Sequence, residues 1–109
     1  VQWVIVFLEK DENSSVAKTK IADFNREFFG KEKLKVSSKL YTEDQSIILI
    51  QEFEDDTKAM KYINTFKKTR KYLLDLQKAK ILAISQDNLK LLFETKKIEE
   101  YELFHEEYY

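Results

Sequence analysis

Cysteine and proline are absent from this 109-residue chain, and glycine, histidine, methionine and tryptophan each occur once. Without cysteine there is no disulfide, no thiolate nucleophile and no cysteine zinc site, although a thiol-free chain suits an oxidising compartment as well as a reducing one. A single glycine leaves no glycine-rich phosphate loop and few places for backbone to approach a ligand closely. There is no G-x-S-x-G elbow and no second histidine to build a metal site or an acid–base pair. The expectation is a protein that is not an enzyme and that holds no cofactor and no metal.

Nor does one sign of charge dominate. The 19 basic and 20 acidic side chains give a formal net charge of -1. Nucleic-acid-binding domains usually carry a basic excess, so no nucleic-acid partner is expected. No apolar run approaches the length that crosses a bilayer, and no basic leader with a small-residue cleavage site is present. No membrane insertion by this domain is expected. The chain opens on Val1 and passes directly into an apolar run, which reads as a piece of a longer protein with any targeting signal upstream.

What is present is enough for a core. Hydrophobic residues make up 43% of the chain and aromatics 14%, and the length fits one domain. Ser46–Phe53 (SIILIQEF) has four aliphatic residues between a polar and an acidic turn, as an interior strand does. Gln2–Leu8 (QWVIVFL) is short, β-branched and aromatic, which also predicts a strand. Between them Ala17, Ile21, Phe24 and Phe28 recur at helical spacing over Val16–Phe29, with Asn13, Ser14 or Ser15 as N-cap and Gly30 as a left-handed C-cap. Leu34–Tyr41 alternates, with Leu34, Val36, Ser38 and Leu40 on one face, and its lysines suit a sheet edge. Thr42–Gln45 then makes a hairpin to Ser46–Phe53.

Asp55 or Asp56 caps the next helix, whose stripe is Ala59, Met60, Ile63 and Phe66 with Tyr62 beside it. Tyr72, Leu73 and Leu76 suggest a further helical piece after a bend near Thr69. Ile81–Ile84 reads as a fourth strand, Ser85 as the cap beyond it, and Leu89, Leu92 and Phe93 as a helical face. Thr95–Tyr109 is helical, acidic and aromatic. The order strand, helix, strand, strand, helix, strand predicts an α+β fold, a ferredoxin-like βαββαβ domain over residues 1–109 with a four-stranded antiparallel sheet and an additional C-terminal helical segment. The central strands are apolar on both faces, so the face away from the two helices also needs cover. The C-terminal segment is the internal candidate, and a homodimer the external one.

Candidate sites are few. His105 lies among Glu102, Glu106 and Glu107, but a lone histidine there reads as solvent-facing or helix-terminal. Glu52, Glu54, Asp55 and Asp56 cluster at a strand-to-helix junction and read as capping chemistry. Asp11, Glu12, Asn13, Ser14 and Ser15 lack the spacing of a calcium loop. The local bias that stands out is basic: Lys67, Lys68, Arg70, Lys71, Lys78 and Lys80, with Tyr72 among them. Such a segment suits an acidic protein surface. The tail aromatics Tyr101, Phe104, Tyr108 and Tyr109 are the second candidate surface, since tyrosine is enriched at interfaces. Lys67, Lys68, Arg70, Lys71, Tyr72, Tyr101 and Tyr108 are therefore the candidate partner surface.

Several stretches resemble a family. They are Val4–Phe7 (VIVF), the span from Ile21-Ala22-Asp23-Phe24-Asn25 to Leu34-Lys35-Val36-Ser37-Ser38, and Ala83-Ile84-Ser85-Gln86-Asp87-Asn88. The patch Lys58-Ala59-Met60-Lys61-Tyr62 and the end Phe104-His105-Glu106-Glu107-Tyr108-Tyr109 fit the same pattern. Together they resemble the C-terminal domain of the Bacteroidetes tetratricopeptide-repeat lipoproteins of gliding motility and type IX secretion. The resemblance implies a periplasmic setting, a lipid anchor far upstream, and a role connecting envelope components. This chain has no lipobox cysteine and no 34-residue repeat, so those parts would lie upstream. The expected function is a non-enzymatic interaction or scaffolding domain that docks another envelope protein. The alternative is a small-ligand or peptide-binding sensory module, with the edge strand Leu34–Tyr41 accepting an added strand. A deep apolar pocket would favour the small ligand, and an open strand edge the peptide.

Overall fold

In the computed structural model, residues 2–9, 12–43, 45–69, 71–73, 76, 79–95 and 98–108 are described, apart from the side chains of 99, 100 and 108. Four strands form one antiparallel sheet in the order β2-β3-β1-β4: β1 (Gln2–Phe7), β2 (Lys35–Leu40), β3 (Ser46–Phe53) and β4 (Lys80–Ser85). The helices are α1 (Ser14–Phe29), α2 (Asp56–Lys68), α3 (Gln86–Thr95) and α4 (Ile98–Tyr108). The topology is the ferredoxin-like βαββαβ arrangement with extra C-terminal helices. The continuous apolar runs take the interior positions, as strands buried on both faces must.

Each strand sorts its side chains by the two-residue period. Val4, Val6, Leu8, Ile48, Ile50, Ile81 and Ala83 enter the core beneath α1 and α2. Ile5, Phe7, Ile47, Leu49, Leu82 and Ile84 enter a second core, closed by Leu89 and Leu92 of α3 with Phe93, Ile98 and Tyr101 packed beside them. The face away from α1 and α2 is thus covered from within the chain. Phe53 breaks the count. Strict alternation puts it with Ile47 and Leu49, yet it packs on the α1/α2 side, 5.2 Å ring to ring from Tyr62. The register gives the reason: Gln2 pairs with Phe53 but Val4 with Ile50, so β3 carries one extra residue there, and that bulge reverses the facing of the residues beyond it.

Local signals set most boundaries. Asn13 Oδ1 accepts the N–H groups of Ser15 (2.9 Å) and Val16 (3.1 Å), which caps α1. Asp55 Oδ1 accepts from Lys58 N at 2.9 Å, which caps α2, and Ser85 Oγ accepts from Asn88 N at 3.2 Å in the first turn of α3. Two expectations fail. Gly30 is right-handed (φ -57°) and begins a 3-10 turn, Gly30–Glu32; the left-handed residue is Lys33 (φ 52°). The chain needs that added turn because Phe29 and Leu34 both reach the core beneath the helices. Phe28 is 43% exposed, and its expected place on the stripe belongs to Asn25, 5% exposed. Beyond α2, Thr69 is extended, Lys71–Leu73 is a turn and Tyr72 is left-handed (φ 71°). Of the expected helical piece, Leu76 is a 3-10 residue whose N–H donates to Leu73 O at 2.9 Å, and residues 74, 75, 77 and 78 lie outside the described residues. Leu73 and Leu76 are both buried.

Asn25 has a specific partner. The Tyr62 hydroxyl, on the adjoining helix α2, donates to Asn25 Oδ1 at 2.5 Å. Tyr62 is fully buried; burial raises its pKa strongly, and the Asn25 bond works in the opposite direction. Phe24, Phe29, Phe53 and Phe66 surround the Tyr62 ring or its neighbours at 5.0–6.2 Å. One polar pair therefore fixes α1 on α2 inside an aromatic cluster that is otherwise tolerant of rotation.

Candidate interaction surface

The described residues of the basic stretch are spread over α2, the turn after it and β4. Lys67 and Lys68 end α2. Beyond the extended Thr69, the chain folds against α1: Lys71 Nζ lies 2.7 Å from Glu27 Oε1, and the Tyr72 hydroxyl donates to the same oxygen at 3.3 Å. The Lys71 ammonium also sits 5.4 Å from the Tyr72 ring centroid. Glu27 raises the Lys71 pKa, first by the hydrogen bond and then by its charge. Lys80 begins β4 and pairs with Glu102 of α4 at 2.5 Å. The structure brings Lys71 and Tyr72 together on one acid, Glu27, at the surface. Arg70 and Lys78 lie outside the described residues.

The tail does something that its composition did not announce. Tyr101 and His105, one turn apart on α4, reach the same residue of the edge strand β4. The Tyr101 hydroxyl donates to the Ala83 carbonyl, and Ala83 N–H donates to His105 Nε2 at 3.1 Å. Together they occupy the donor and acceptor that a fifth strand would have used. His105 is helix-terminal, in the last turn of α4, and partly buried; because Nε2 accepts, the neutral ring carries its proton on Nδ1. Burial lowers the His105 pKa, the Lys67 charge lowers it further, and Glu106 opposes them. Tyr101 is thus an intramolecular clamp. Leu103 (68% exposed) and Phe104 (38%) form the open side of α4. The Tyr108 side chain and Tyr109 lie outside the described residues.

Register parity then tells which backbone groups of the opposite edge point outward. Antiparallel neighbours alternate between hydrogen-bonded and non-hydrogen-bonded pairs. Ala83 faces α4, so its pair with Val4 is non-bonded, the Val4–Ile50 pair is bonded, and the Ile50–Val36 pair is non-bonded. Val36, Ser38 and Leu40 therefore direct their N–H and C=O groups away from β3. The hairpin agrees independently, because Tyr41 N–H donates inward to Gln45 O at 2.8 Å. Among the described residues β2 pairs with β3 alone. Its edge carries Lys35, Ser38 and Lys39, all exposed or partly so, and Leu40, 69% exposed.

Beside that edge runs a cleft of about 360 Å³ between α1 and β2. Lys18, Ala22, Asn25, Arg26 and Phe29 recur along one stripe of α1 and line one wall, while Leu34 and Val36 line the other. Lys33, held by its left-handed backbone, closes the end. Other concavities include a groove of about 590 Å³ lined only by α2 residues and one of about 220 Å³ beside Phe53 and Lys58. Each has charged side chains among its walls. The acidic junction is capping chemistry: Asp55 caps α2, and Glu54 pairs with Lys58 at 2.5 Å. No group of three or more potential metal ligands occurs among the described residues, and none of the described helices is long and apolar enough to cross a membrane.

Comparison with protein-family models, with curated proteins and with solved structures finds no match to this chain. Nothing outside the chain therefore adds a site residue to those that its own geometry places.

Proposed function

We propose that this is a non-enzymatic protein-interaction domain that takes an extended segment of a partner protein along the outer edge of β2. The observation that carries the reading is the inequality of the two sheet edges. The β4 edge is closed at Ala83 by two side chains of α4, whereas β2 directs the backbone groups of Val36, Ser38 and Leu40 outward. A strand added there gains ladder hydrogen bonds from groups already held in extended geometry, which lowers the ordering cost of binding. The charged walls of the clefts give less support to the small-ligand alternative, which calls for a mostly apolar pocket. Docking through Lys67, Lys68, Lys71 and Tyr72 has weaker support, since Lys71 and Tyr72 already engage Glu27. The cell-envelope setting rests on the family resemblance alone and serves as the place to look for the partner.

The test uses a phage-displayed random nonapeptide library panned against the protein. Enriched peptides are expected to shift the amide resonances of Val36, Ser38 and Leu40 and to lose binding to Ser38→Pro. Proline there removes an outward N–H that β3 does not use, so the variant keeps its fold. Failure to enrich any peptide, or equal binding to Ser38→Pro, overturns the proposal.

A further inference from the structure

The α1–β2 cleft gives the β2 edge a side-chain preference. We infer that this cleft is the specificity site of the edge and accepts an aspartate or glutamate side chain from the added strand, an inference that rests on the strand-addition reading above. Side chains of an added strand alternate across the sheet. Those on the α1 side must pass between α1 and β2, over Leu34 and Val36 and beneath the α1 stripe. There they meet three cations, Lys18, Arg26 and Lys33, and no carboxylate among the described residues lining the cleft.

The charges are largely available. No ion pair among the described residues engages Lys18 or Lys33, and Arg26 has only Asp23, at 3.3 Å with its own side chain 78% exposed. One wall also holds Asn25, whose Nδ2 is buried and has no acceptor among the described residues, although its Oδ1 is used by Tyr62. A buried amide donor without an acceptor is costly, and an oxygen brought into the cleft is the chemistry that relieves it. Apolar floor, cationic rim and an unused amide donor match a short acidic side chain that lies over aliphatic groups. They match neither a basic nor a large aromatic one. The occupant is therefore an extended acidic segment of a partner protein, with Asp or Glu at alternate positions.

The experiment compares two pannings of the same nonapeptide library, one against the wild-type protein and one against Lys18→Glu/Lys33→Glu. Both substituted side chains are exposed, and unchanged thermal unfolding shows that the variant is folded. The wild-type pool is expected to enrich Asp or Glu at positions two apart. A synthetic peptide of that consensus is expected to lose about tenfold in affinity when its acids become lysine, the scale of a partly exposed charge-assisted contact. The charge-reversed protein is expected to invert that preference. A wild-type pool indifferent to charge overturns the acidic specificity while strand addition stands. A pool whose peptides bind Ser38→Pro as well as wild type removes the strand-addition reading, and this inference with it.

Discussion

The clamp on Ala83 makes stability depend on pH through one residue. His105 is the only histidine in the chain, and Nε2 accepts the Ala83 N–H at 3.1 Å. Protonation there sets a donor against a donor. Burial first, then the Lys67 charge, holds the His105 pKa below its ordinary 6.5 against the opposing Glu106. Lys80 and Glu102 also lie at this junction of β4 and α4, but they are paired with each other at 2.5 Å. With the folded value depressed, the unfolded chain binds the proton more readily. The neutral histidine's stabilisation is therefore complete above pH 6.5 and is lost as pH falls toward the lowered folded value. Between pH 7.5 and 5.5 an ordinary histidine goes from about 0.1 to about 0.9 of a proton bound. If the folded state takes up none, the difference integrates to a ceiling of about 1.4 kcal/mol. That corresponds to roughly 5–10 °C in Tm for a domain of this size.

Urea unfolding at pH 7.5, 6.5 and 5.5 reads this directly. Ordinary carboxylate values lie below the window and lysine and tyrosine values above it, so His105 dominates the slope. The wild-type protein is expected to lose stability on acidification, up to the ceiling. His105→Gln retains an acceptor oxygen without a titrating group and is expected to be flat across the range. His105→Leu is expected to be equally flat but lower at pH 7.5 by about 0.5–1.5 kcal/mol, the net worth of one hydrogen bond. A wild-type protein that gains stability in acid, or a His105→Gln protein with the wild-type slope, would refute the argument.

Substitutions at five positions probe the rest of the fold by denaturant midpoint. Gly30→Ala is expected to stabilise by about 0.4–1 kcal/mol, because Gly30 is right-handed and a Cβ there meets nothing within 4 Å; a destabilised variant would show that this turn needs glycine after all. Tyr62→Phe is expected to cost about 1–3 kcal/mol by leaving the buried Asn25 amide without its hydroxyl partner. Asn25→Leu with Tyr62→Phe should cost less than the sum of the two single changes, and strict additivity would dissolve the pair. Ile48→Ala, at a fully buried site, is expected to cost about 2–5 kcal/mol. Leu40→Ala, on the open edge, should stay within about 0.5 kcal/mol of wild type.

The features legible in the sequence are those whose cause lies within a few residues. The Ser46–Phe53 boundaries, the hairpin, the β2 edge position and the caps at Asn13, Asp55 and Ser85 all derive from local period or capping chemistry. Features set by a distant partner were not legible. Phe28 and Asn25 compete for one position beside the core, and α2 decides it by supplying the Tyr62 hydroxyl. Gly30 yields the left-handed position to Lys33 because Leu34 must reach the core. The candidate surface was legible as composition only: nothing local to Lys71 announces Glu27, and nothing local to His105 announces Ala83. The cleft stripe Lys18, Ala22, Asn25, Arg26 and Phe29 was present in the helical periodicity, but its meaning depends on β2 lying alongside.

The same geometry bears on self-association, which the sequence left open. A homodimer has two natural routes, sheet face to sheet face or edge to edge. The first is closed, because α3 and α4 bury Ile5, Phe7, Leu49 and Ile84 on the face away from α1 and α2. The second, β2 against β2 about a two-fold axis, sets Lys35 and Lys39 of one copy near the same lysines of the other, where like charges repel. Charged residues of this kind are a common guard of sheet edges against pairing with a second copy. Sedimentation velocity is expected to give a monomer across the micromolar range. A dimer that Ser38→Pro abolishes would assign the β2 edge to this chain itself, against the repulsion argued from Lys35 and Lys39.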